Sequence, residues 1–416
     1  MFSLVLVSGL YVALSALFYK NVSQGFFSFG ISLGAALSAL VVFAVPTVIL
    51  GALSPYLIKL ACDAGSGIGT SSGRLYATST IGSLLGTFLT ALVLIPRLGI
   101  RETFFLNSLI IIFLALMWLW RTKRWAALFL LFPILISGVP AESRADNVLA
   151  SAESAYSSLD VVDYGDTIGL RTDERNGTIY SFVPRKGNWK YGSRLYDLFS
   201  LAPILANAKR ALLLGVGAGT IPMLHEEMNP SLDITGVEID PTIIDLGRKY
   251  FRLKEADNIS RLAIEDARPF LLKEESLYDL IEVDLFWGGA EIPFYLATQE
   301  FFDLTGKHLA PGGLLAMNIY DPSEDRILVS PLINTIAASY PHTYVVPAGF
   351  GSYFVLAGER PIDLAPLLPL RAEQSPRGDL VRHLASSIQT VSYSEKIQTF
   401  TDNLNSLEIL NHEAQR

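Results

Sequence analysis

The pattern of hydrophobic and polar positions divides the chain into two parts. Residues 1–140 are mostly apolar, and most of the charged residues follow them. Long apolar runs cover residues 1–18, 26–53, 75–95, 103–120 and 125–140. Because a helix needs about 20 residues to cross a bilayer, the first four runs predict membrane spans and the fifth is of marginal length. The first run lacks the preceding basic residues of a signal peptide, so we expect it to be a span.

Small and aromatic residues in this first part favour lipid over the interior of a soluble protein. Gly82 and Gly86 have the spacing that lets helices pack closely in lipid. Trp118, Trp120 and Trp125 stand where an aromatic belt at the membrane interface would lie. We therefore predict 1–140 as a transmembrane helical region and a lipid bilayer as a partner.

The basic residues between the spans favour a cytoplasmic N-terminus. Those on the side of the N-terminus are Lys59, Arg74, Arg121, Lys123 and Arg124, and those on the other side are Lys20, Arg97 and Arg101. Five full spans would place the following domain outside the cell. Four spans with a re-entrant or interfacial fifth segment would place it inside, as would five spans that override the charge bias. We predict the cytoplasmic side.

After residue 140 the pattern changes to short segments of alternating polarity. Residues 159–163, 167–171 and 178–183 alternate as half-buried antiparallel strands do, and Asn176-Gly177 is a hairpin-turn signal. A helix is predicted over 196–206. Residues 141–206 are therefore interpreted as a small β-rich segment.

From residue 207 onward, apolar strands alternate with helices. Strands are predicted at 211–214, 234–239, 261–264, 278–284, 314–319, 343–346 and 353–356. Helices are predicted at 241–251, 269–273, 298–309 and near 380–390, with a turn at Pro311-Gly312-Gly313. Repeated strand–helix units predict a parallel, doubly wound α/β sheet of Rossmann type. Residues 207–360 are assigned to this domain and 361–416 to a C-terminal extension.

The stretch from Ala211 to Asp240 carries the clearest functional signal. An apolar run ends in Gly215, Gly217 and Gly219, and the next strand carries Glu238 near its end. Glycines let the backbone approach a ligand closely, and an acidic residue at this distance suits the ribose hydroxyls of a nucleoside. The G-x-G-x-G spacing departs from the dinucleotide fingerprint and looks like the first motif of S-adenosylmethionine-type transferases. The loop alone leaves an ordinary glycine turn open.

Three acidic residues fall at the ends of predicted strands, namely Glu238, Asp266 and Asp284. Ligands of open α/β sheets bind beyond the carboxyl ends of the strands, so we expect these side chains to share one rim with the glycine loop. Glu238 suits ribose. Asp266, followed by Ala267, suits the adenine amino group, because a carboxylate is an acceptor. Asp284 would face a sulfonium and an acceptor substrate.

Composition narrows the classes of function. The formal charge of -8 and the lack of a basic stripe argue against a nucleic-acid partner. Cys62 is the single cysteine and the five histidines are scattered, so no metal site is predicted.

Residues 150–320 resemble the spermidine synthases, which are polyamine aminopropyltransferases. The matching stretches are Glu153-Ser-Ala-Tyr156, Tyr196-Asp197, LLLGVGAGT, VEIDP, the Asp266 motif, YDLIEVD, and Gln299-Glu-Phe-Phe with Pro311-Gly-Gly. ILGALSPYLIKL and GRLYATSTIGSLLGTFLTALVLIPRLG resemble the membrane region of bacterial spermidine-synthase-like proteins, and Phe400-Thr-Asp402 resembles their C-terminal part. The resemblance implies a multi-pass protein of the bacterial inner membrane and a homodimer.

The resemblance also implies a reaction and a set of site residues. An aminopropyl group would move from decarboxylated S-adenosylmethionine to a polyamine. Asp284 would be the general base and Tyr196 would orient the amine. The other substrate-binding residues would be Tyr156, Asp197 and Trp287.

The chain departs from the family at several positions. Proven aminopropyltransferases usually have an acidic residue where this chain has Ala218. They also have Ser-Ser-Asp after the catalytic aspartate, where this chain has Leu285-Phe286-Trp287. Glu282 and Glu291 are candidates to replace the missing acids. Two alternatives therefore stand beside aminopropyl transfer: methyl transfer from S-adenosylmethionine, and an inactive membrane protein that senses nucleosides or polyamines.

Overall fold

The structure is a computed structural model, and residue contacts divide it into two units. One unit comprises Met1–Ala145 with Glu153–Ala155, and the other comprises Asp146–Ala152 with Tyr156–Arg416. The structure describes residues 1–26, 29, 31–63, 67–121, 147–172, 179–187, 189, 194–253, 258–286, 291–407 and 409–410. The predicted fifth apolar segment, the Asn176-Gly177 turn and Trp287 lie outside these residues. The domain boundaries within 141–416 stay a prediction.

The first unit is helical. Its helices are α1 (Phe2–Phe26), α2 (Ile31–Gly51), α3 (Leu53–Asp63), α4 (Ile68–Leu89), α5 (Ile95–Leu98) and α6 (Ile100–Arg121), with a π-helical turn at Thr90–Leu94. Among the described residues, four stretches are long and apolar enough to cross a membrane, namely Phe2–Ser23, Leu33–Asp63, Ile68–Leu94 and Ile100–Trp120. These correspond to the first four predicted runs.

The packing within this unit is uneven. Helices α1 and α6 bury a small cluster that includes Leu6, Ala115 and Leu119. Gly9 allows this approach, because a Cβ there would lie 2.7 Å from the side chain of Ile112. By contrast, a Cβ at either glycine of the predicted G-x-x-x-G pair would meet nothing within 4 Å. The close helix contact predicted for that pair is therefore not formed in the described part of the chain.

The second unit begins with a four-stranded sheet. Its strands are β1 (Val148–Glu153), β2 (Ser158–Asp163), β3 (Thr167–Thr172) and β4 (Ile179–Pro184), in the order β1-β2-β3-β4. β3 pairs antiparallel with both β2 and β4, as the alternating pattern predicted. β1 was not predicted, because its sequence VLASAE has few of the β-branched and aromatic residues that mark strands.

An eight-stranded sheet forms the centre of this unit. Its strands are β5 (Arg210–Leu214), β6 (Asp233–Glu238), β7 (Ile259–Ile264), β8 (Tyr278–Val283), β9 (Leu309–Tyr320), β10 (His342–Gly349), β11 (Ser352–Gly358) and β12 (Gln389–Val391). Their order is β12-β10-β11-β9-β8-β5-β6-β7. The five strands from β9 to β7 are parallel, which confirms the Rossmann-like prediction.

The remaining strands depart from the predicted parallel arrangement. β11 pairs antiparallel with β9, and β10 pairs antiparallel with β11 and β12. The predicted turn at Pro311-Gly312-Gly313 was also wrong, because these residues lie within β9. They form an irregularity there, since Tyr278 pairs with Leu309 whereas Leu280 pairs with Leu314.

Helices cover both faces of this sheet. They are α7 (Arg194–Phe199), α8 (Ala202–Leu205), α9 (Thr220–Met228), α10 (Pro241–Tyr250), α11 (Ala267–Lys273), α12 (Gln299–Lys307), α13 (Val329–Ser339), α14 (Leu368–Arg371) and α15 (Pro376–Ser387). Residues of α7, α9, α10 and α15 pack on one face, and residues of α11, α12 and α13 pack on the other. Side chains alternate along the central strands, so that in β5 Leu213 belongs to the first core and Leu212 to the second.

Candidate active site

A pocket lies across the carboxyl ends of β5, β6, β7 and β8. β5 is central, with β6 and β7 to one side and β8 and β9 to the other, so the strand order reverses beside it. This is where open α/β sheets bind their ligands. The pocket and its mouth enclose about 630 Å³, and the predicted residues among its lining are Tyr156, Gly215, Glu238, Asp266, Ala267 and Asp284.

The glycine loop makes the tightest backbone contact of the site. Gly215, Gly217 and Gly219 have φ angles of 92°, 57° and 105°, a region that disfavours other residues. A Cβ at Gly215 would lie 2.1 Å from the carbonyl oxygen of Asp284. Of the three glycines only Gly215 lines the pocket. Gly217 and Gly219 let the loop pack closely on neighbouring residues of the protein. A Cβ at Gly217 would lie 2.6 Å from Ser181, and one at Gly219 would lie 2.8 Å from Leu253.

Glu238 ends β6 with its carboxylate turned towards the glycine loop. Oε2 accepts a hydrogen bond from the backbone N–H of Gly217 at 2.9 Å, and Oε1 accepts one from the N–H of Asp240 at 3.0 Å. Burial raises the pKa of Glu238 to about 7, although these backbone donors favour the charged form. The backbone of Ile239 also donates to this carboxylate, which leaves about one of its roughly four lone-pair sites for a ligand hydroxyl. The arrangement therefore suits a hydroxyl group of a ribose.

Asp266 caps helix α11 and faces the pocket. Its Oδ1 accepts from the backbone N–H of Arg268 at 2.9 Å, and its Oδ2 accepts from the hydroxyl of Tyr295 at 2.5 Å. Burial raises the pKa of Tyr295 above its usual range, and the bond to Asp266 adds to this effect. Ala267 lies beside Asp266 in the pocket wall. The amino group of an adenine would donate to the same Asp266 carboxylate that accepts from Tyr295.

Asp284 follows β8 directly and part of its surface opens to the pocket. Its Oδ1 accepts a hydrogen bond from Nδ2 of Asn318 at 2.8 Å, and its carboxylate also pairs with the hydroxyl of Tyr196. Desolvation raises the pKa of Asp284 to about 6, against the opposing effect of the Asn318 bond. A carboxylate with this pKa can both hold a cation and accept a proton near neutral pH.

The tyrosines on the substrate side differ in exposure. Tyr196 is buried, and its hydroxyl lies within hydrogen-bonding distance of the Tyr180 carbonyl oxygen at 3.1 Å. Burial raises its pKa well above 10, and the Asp284 charge adds to this. Tyr156 lines the pocket, and burial followed by the charges of neighbouring acids raises its pKa.

Asp197 and the two substitute acids lie apart from the pocket lining. Asp197 is buried and accepts a hydrogen bond from the indole Nε1 of Trp189 at 2.7 Å. Glu282 has no exposed surface and is bound by His225, so it cannot replace a missing substrate-binding acid. Glu291 is not among the lining residues.

Sequence reasoning missed two residues of the site. Asn318 could have been found, because it is a polar residue inside the apolar stretch LLAMNIY of a predicted central strand. Tyr295 lies in a short 3-10 turn, Phe294–Leu296, and carries no sequence signal that connects it to Asp266. Register and loop geometry bring both to the carboxylates.

The fold and the pocket define a Rossmann-like α/β protein of the methyltransferase type with a site at the strand-order reversal. Residues 202–348 match the family model of the spermine/spermidine synthase domain. A probable polyamine aminopropyl transferase of Bifidobacterium longum is 34% identical over 194 residues, which are 46% of this chain and 42% of that protein. A polyamine aminopropyltransferase of Oceanobacillus iheyensis is 26% identical over 356 residues, 76% of this chain and 67% of that protein.

Among solved structures, a probable spermidine synthase from Corynebacterium glutamicum has a TM-score of 0.48 and 21% identity, covering 62% of this chain and 98% of that chain. This chain is therefore similar to spermidine synthases in its matched domain, residues 202–348, and to two relatives named as polyamine aminopropyl transferases. Those relatives are named as polyamine aminopropyltransferases, a class of transferases. The chain spans less than half the length of the first of them.

Proposed function

We propose that this chain is a membrane-anchored transferase that moves an aminopropyl group from decarboxylated S-adenosylmethionine to a polyamine acceptor. The observation that carries the proposal is Asp284, a carboxylate with a pKa of about 6 held at the pocket by Asn318. The pocket also presents Glu238 and Asp266, which match the ribose and base of a nucleoside. The names of the relatives agree with this donor class.

The donor substrate supplies an electrophilic carbon next to its sulfonium, and the C–S bond breaks as the C–N bond to the amine forms. The electron pair of the broken bond stays on sulfur, and methylthioadenosine leaves. An acceptor amine has an unperturbed pKa of about 10, so it arrives protonated and must lose a proton before it can attack. Asp284 holds the ammonium by charge and accepts that proton, which frees the nitrogen lone pair for attack. Tyr196 holds the Asp284 carboxylate in place, and the carboxylate in turn orients the amine nitrogen for attack.

The membrane part of the proposal rests on the apolar helices. Four stretches of the first unit have the length and composition of spans. With a cytoplasmic N-terminus, four spans place the second unit in the cytoplasm, where an adenosyl donor would be available. The inner membrane location and the homodimer stay predictions.

Methyl transfer from S-adenosylmethionine is the second candidate function. Ala218 is fully buried and occupies the loop position of the acid that usually holds a cationic group. Glu282 is bound by His225 and does not replace that acid. A site with fewer acids would suit an acceptor other than a polyamine.

Product analysis separates the two candidates. The full chain, purified in detergent, is incubated with either sulfonium donor and a panel of amines, and products are identified by mass spectrometry. Methylthioadenosine together with an aminopropylated amine supports the proposal. S-adenosylhomocysteine supports methyl transfer instead, and the absence of both products defeats both.

Asp284→Asn tests the base. We expect turnover to fall by about 10²–10⁴-fold, because an amide cannot accept the proton, while nucleoside binding is kept. The matched control is Asp279→Asn, which makes the same change at the other end of β8. There Asp279 only accepts backbone N–H bonds from Lys209 and Arg210, at 2.9 and 3.0 Å. Unchanged turnover in Asp284→Asn would rule out the proposed base.

A further inference from the structure

A histidine–glutamate pair lies beneath the pocket and has no role in the proposed mechanism. His225 on α9 and Glu282 on β8 have no exposed surface. Nε2 of His225 lies 3.0 and 2.9 Å from the two carboxylate oxygens of Glu282. Burying a carboxylate costs free energy that a single partner offsets only in part. A pair at this depth therefore calls for a function other than stability.

The hydrogen bonds around His225 orient its ring towards Glu282. The Asn229 side chain is oriented by its Nδ2 donation to the carbonyl oxygen of Ser200, at 3.1 Å. The same Nδ2 lies 3.4 Å from Nδ1 of His225. Because an amide nitrogen only donates, this contact suits Nδ1 as the acceptor and Nε2 as the nitrogen that donates to Glu282.

Glu282 stands directly behind Asp284 on the same face of the chain. Side chains two positions apart on a strand point the same way, about 7 Å from one another. At the level of Glu282, the flanking strands β5 and β9 present Leu213 and Ala316, which cannot screen its charge. Two helices pack there. His225 of α9 contacts Glu282, and Tyr196 of α7 contacts Asp284. Asp197 of α7 accepts a hydrogen bond from the indole of Trp189.

We propose that Glu282, held in place by the hydrogen bond with His225, is a positioning residue whose negative charge makes Asp284 a stronger proton acceptor. This rests on the proposed function of Asp284 as the base. The charge of Glu282 opposes the formation of a second negative charge nearby. Asp284 therefore binds a proton more tightly than it would through burial alone. Burial raises the pKa of Asp284 most, and the charge of Glu282 raises it further.

Glu282→Gln tests the inference, because glutamine keeps an oxygen that accepts from Nε2 and removes only the charge. The full chain is produced with ¹³C-carboxyl-labelled aspartate, and the titration of Asp284 is followed by NMR, with Asp284→Asn assigning its signal. We expect the midpoint to fall from about 6 in the parent protein. The fall should be roughly 1–2 pH units for two carboxylates about 7 Å apart at an effective dielectric constant of about 20.

Asp321→Asn is the matched control. Asp321 is also a buried carboxylate, and it accepts from the backbone N–H groups of Leu328 and Val329 at 2.9 and 2.8 Å. Its loss should lower the melting temperature and leave the Asp284 midpoint in place. A purely structural Glu282 would behave in the same way, so an unmoved midpoint in Glu282→Gln overturns the inference.

The titration needs no turnover, and this separates the inference from the proposed function. If the parent protein forms neither nucleoside product, the proposed function fails while the midpoint still decides the coupling. Where turnover is present, the acid limb of its pH profile should move to lower pH in Glu282→Gln by the same amount as the midpoint.

Discussion

Two carboxylates of the rim have raised pKa values, and the proposed function gives them opposite tasks. Under that proposal Glu238 is charged before the ligand arrives, because it accepts a hydrogen bond from a hydroxyl group. Asp284 would instead pick up a proton during the reaction. Burial raises the pKa of both, to about 7 and about 6 respectively. Their pH dependences can therefore be separated by choosing a ligand that engages only one of them.

Nucleoside binding should weaken in acid because of Glu238. Its pKa of about 7 means that the free protein carries a proton there at lower pH, and binding must release it. The affinity for methylthioadenosine, which has no charge, should be constant above about pH 8 and fall about tenfold per unit below about pH 7. Isothermal titration calorimetry across this range measures it. Glu238→Gln should bind more weakly and show a flat profile; a parallel slope in both proteins would contradict the prediction.

Asn318→Leu should shift the pKa of Asp284 upward, whereas Glu282→Gln should lower it. Nδ2 of Asn318 donates to Oδ1 of Asp284 and so favours its charged form. Leucine has a similar shape and no donor, so the pKa of Asp284 should rise above about 6, by about one unit. The acid limb of the pH–rate profile should move up with it. A limb that stays in place would show that the bond does not act on the base.

The carboxylates of the site could be predicted from the sequence, but their partners could not. Glu238, Asp266 and Asp284 each follow an apolar run, and strand polarity then places them on one rim. Asn318 reaches Asp284 because β8 and β9 pair in one particular register. Periodicity predicts that both strands exist and leaves that register undetermined.

At the level of elements, the C-terminal extension anchors one wall of the pocket. Arg268 donates to both oxygens of Asp402, at 2.8 and 2.5 Å, and also to the carbonyl oxygen of Tyr295, at 3.0 Å. Thr298 donates to the same Asp402 at 2.8 Å. The Arg268–Asp402 pair therefore ties the turn that carries Tyr295 to residues near the end of the chain.

Asp402→Asn should loosen this wall. Asparagine keeps an acceptor for Thr298 and loses the charge that binds Arg268. We expect nucleoside affinity to fall about three- to tenfold, a modest loss because the pair is partly exposed, with turnover at saturation nearly unchanged. Binding isotherms and saturation kinetics measure the two effects.

Asp379→Asn provides the control for this element. Asp379 forms an ion pair with Arg382 in the same extension, at 2.6 Å, and neither residue lines the pocket. Its binding curve should match that of the parent protein. An equal loss in both variants would show a general effect of the extension instead of an effect on the wall.

The antiparallel strands show where the pattern was interpreted too simply. The strands predicted at 343–346 and 353–356 are joined by a tight turn, with positive φ at Gly349, Phe350 and Gly351. A connection this short can join only antiparallel neighbours, since a parallel pair needs a crossover of a dozen or more residues. The short linker, visible in the sequence, predicts that β10 and β11 are antiparallel. The pairing of β11 with β9 depends on the whole sheet.

At the level of the whole molecule, the two units differ in what the sequence determines. Long apolar runs predict the helices of the first unit well, because length and polarity are all that a span requires. The side of the membrane on which each loop lies depends on a small excess of basic residues. That excess is countered by a fifth segment outside the described residues.

Cys62, the single cysteine, lies near the end of α3 and reports this orientation. With a cytoplasmic N-terminus, Cys62 lies at the cytoplasmic end of the second apolar stretch, Leu33–Asp63. In intact cells it should be protected from a membrane-impermeant maleimide and become labelled after lysis, and the chain should stay in the membrane fraction in alkaline carbonate. Labelling in intact cells would reverse the proposed orientation.

A second reporter locates the other unit. Thr390→Cys in a Cys62→Ser background places a thiol at an exposed position of β12. Protection of both Cys62 and the Thr390→Cys thiol supports four spans. Protection of the Thr390→Cys thiol with labelling of Cys62 supports five spans with the charge bias overridden. Labelling in intact cells would place the pocket outside and defeat the proposed supply of an adenosyl donor.

The close approach of Gly215 to the carbonyl oxygen of Asp284 has a consequence for re-engineering this protein. No side chain fits between the turn after β5 and the end of β8, so even alanine at 215 would push the acid away from its neighbours. The two loops are in direct backbone contact, although they are distant in the chain. A designer who wishes to exchange the chemistry of this fold must transplant both together, since a graft of either alone would misplace its counterpart.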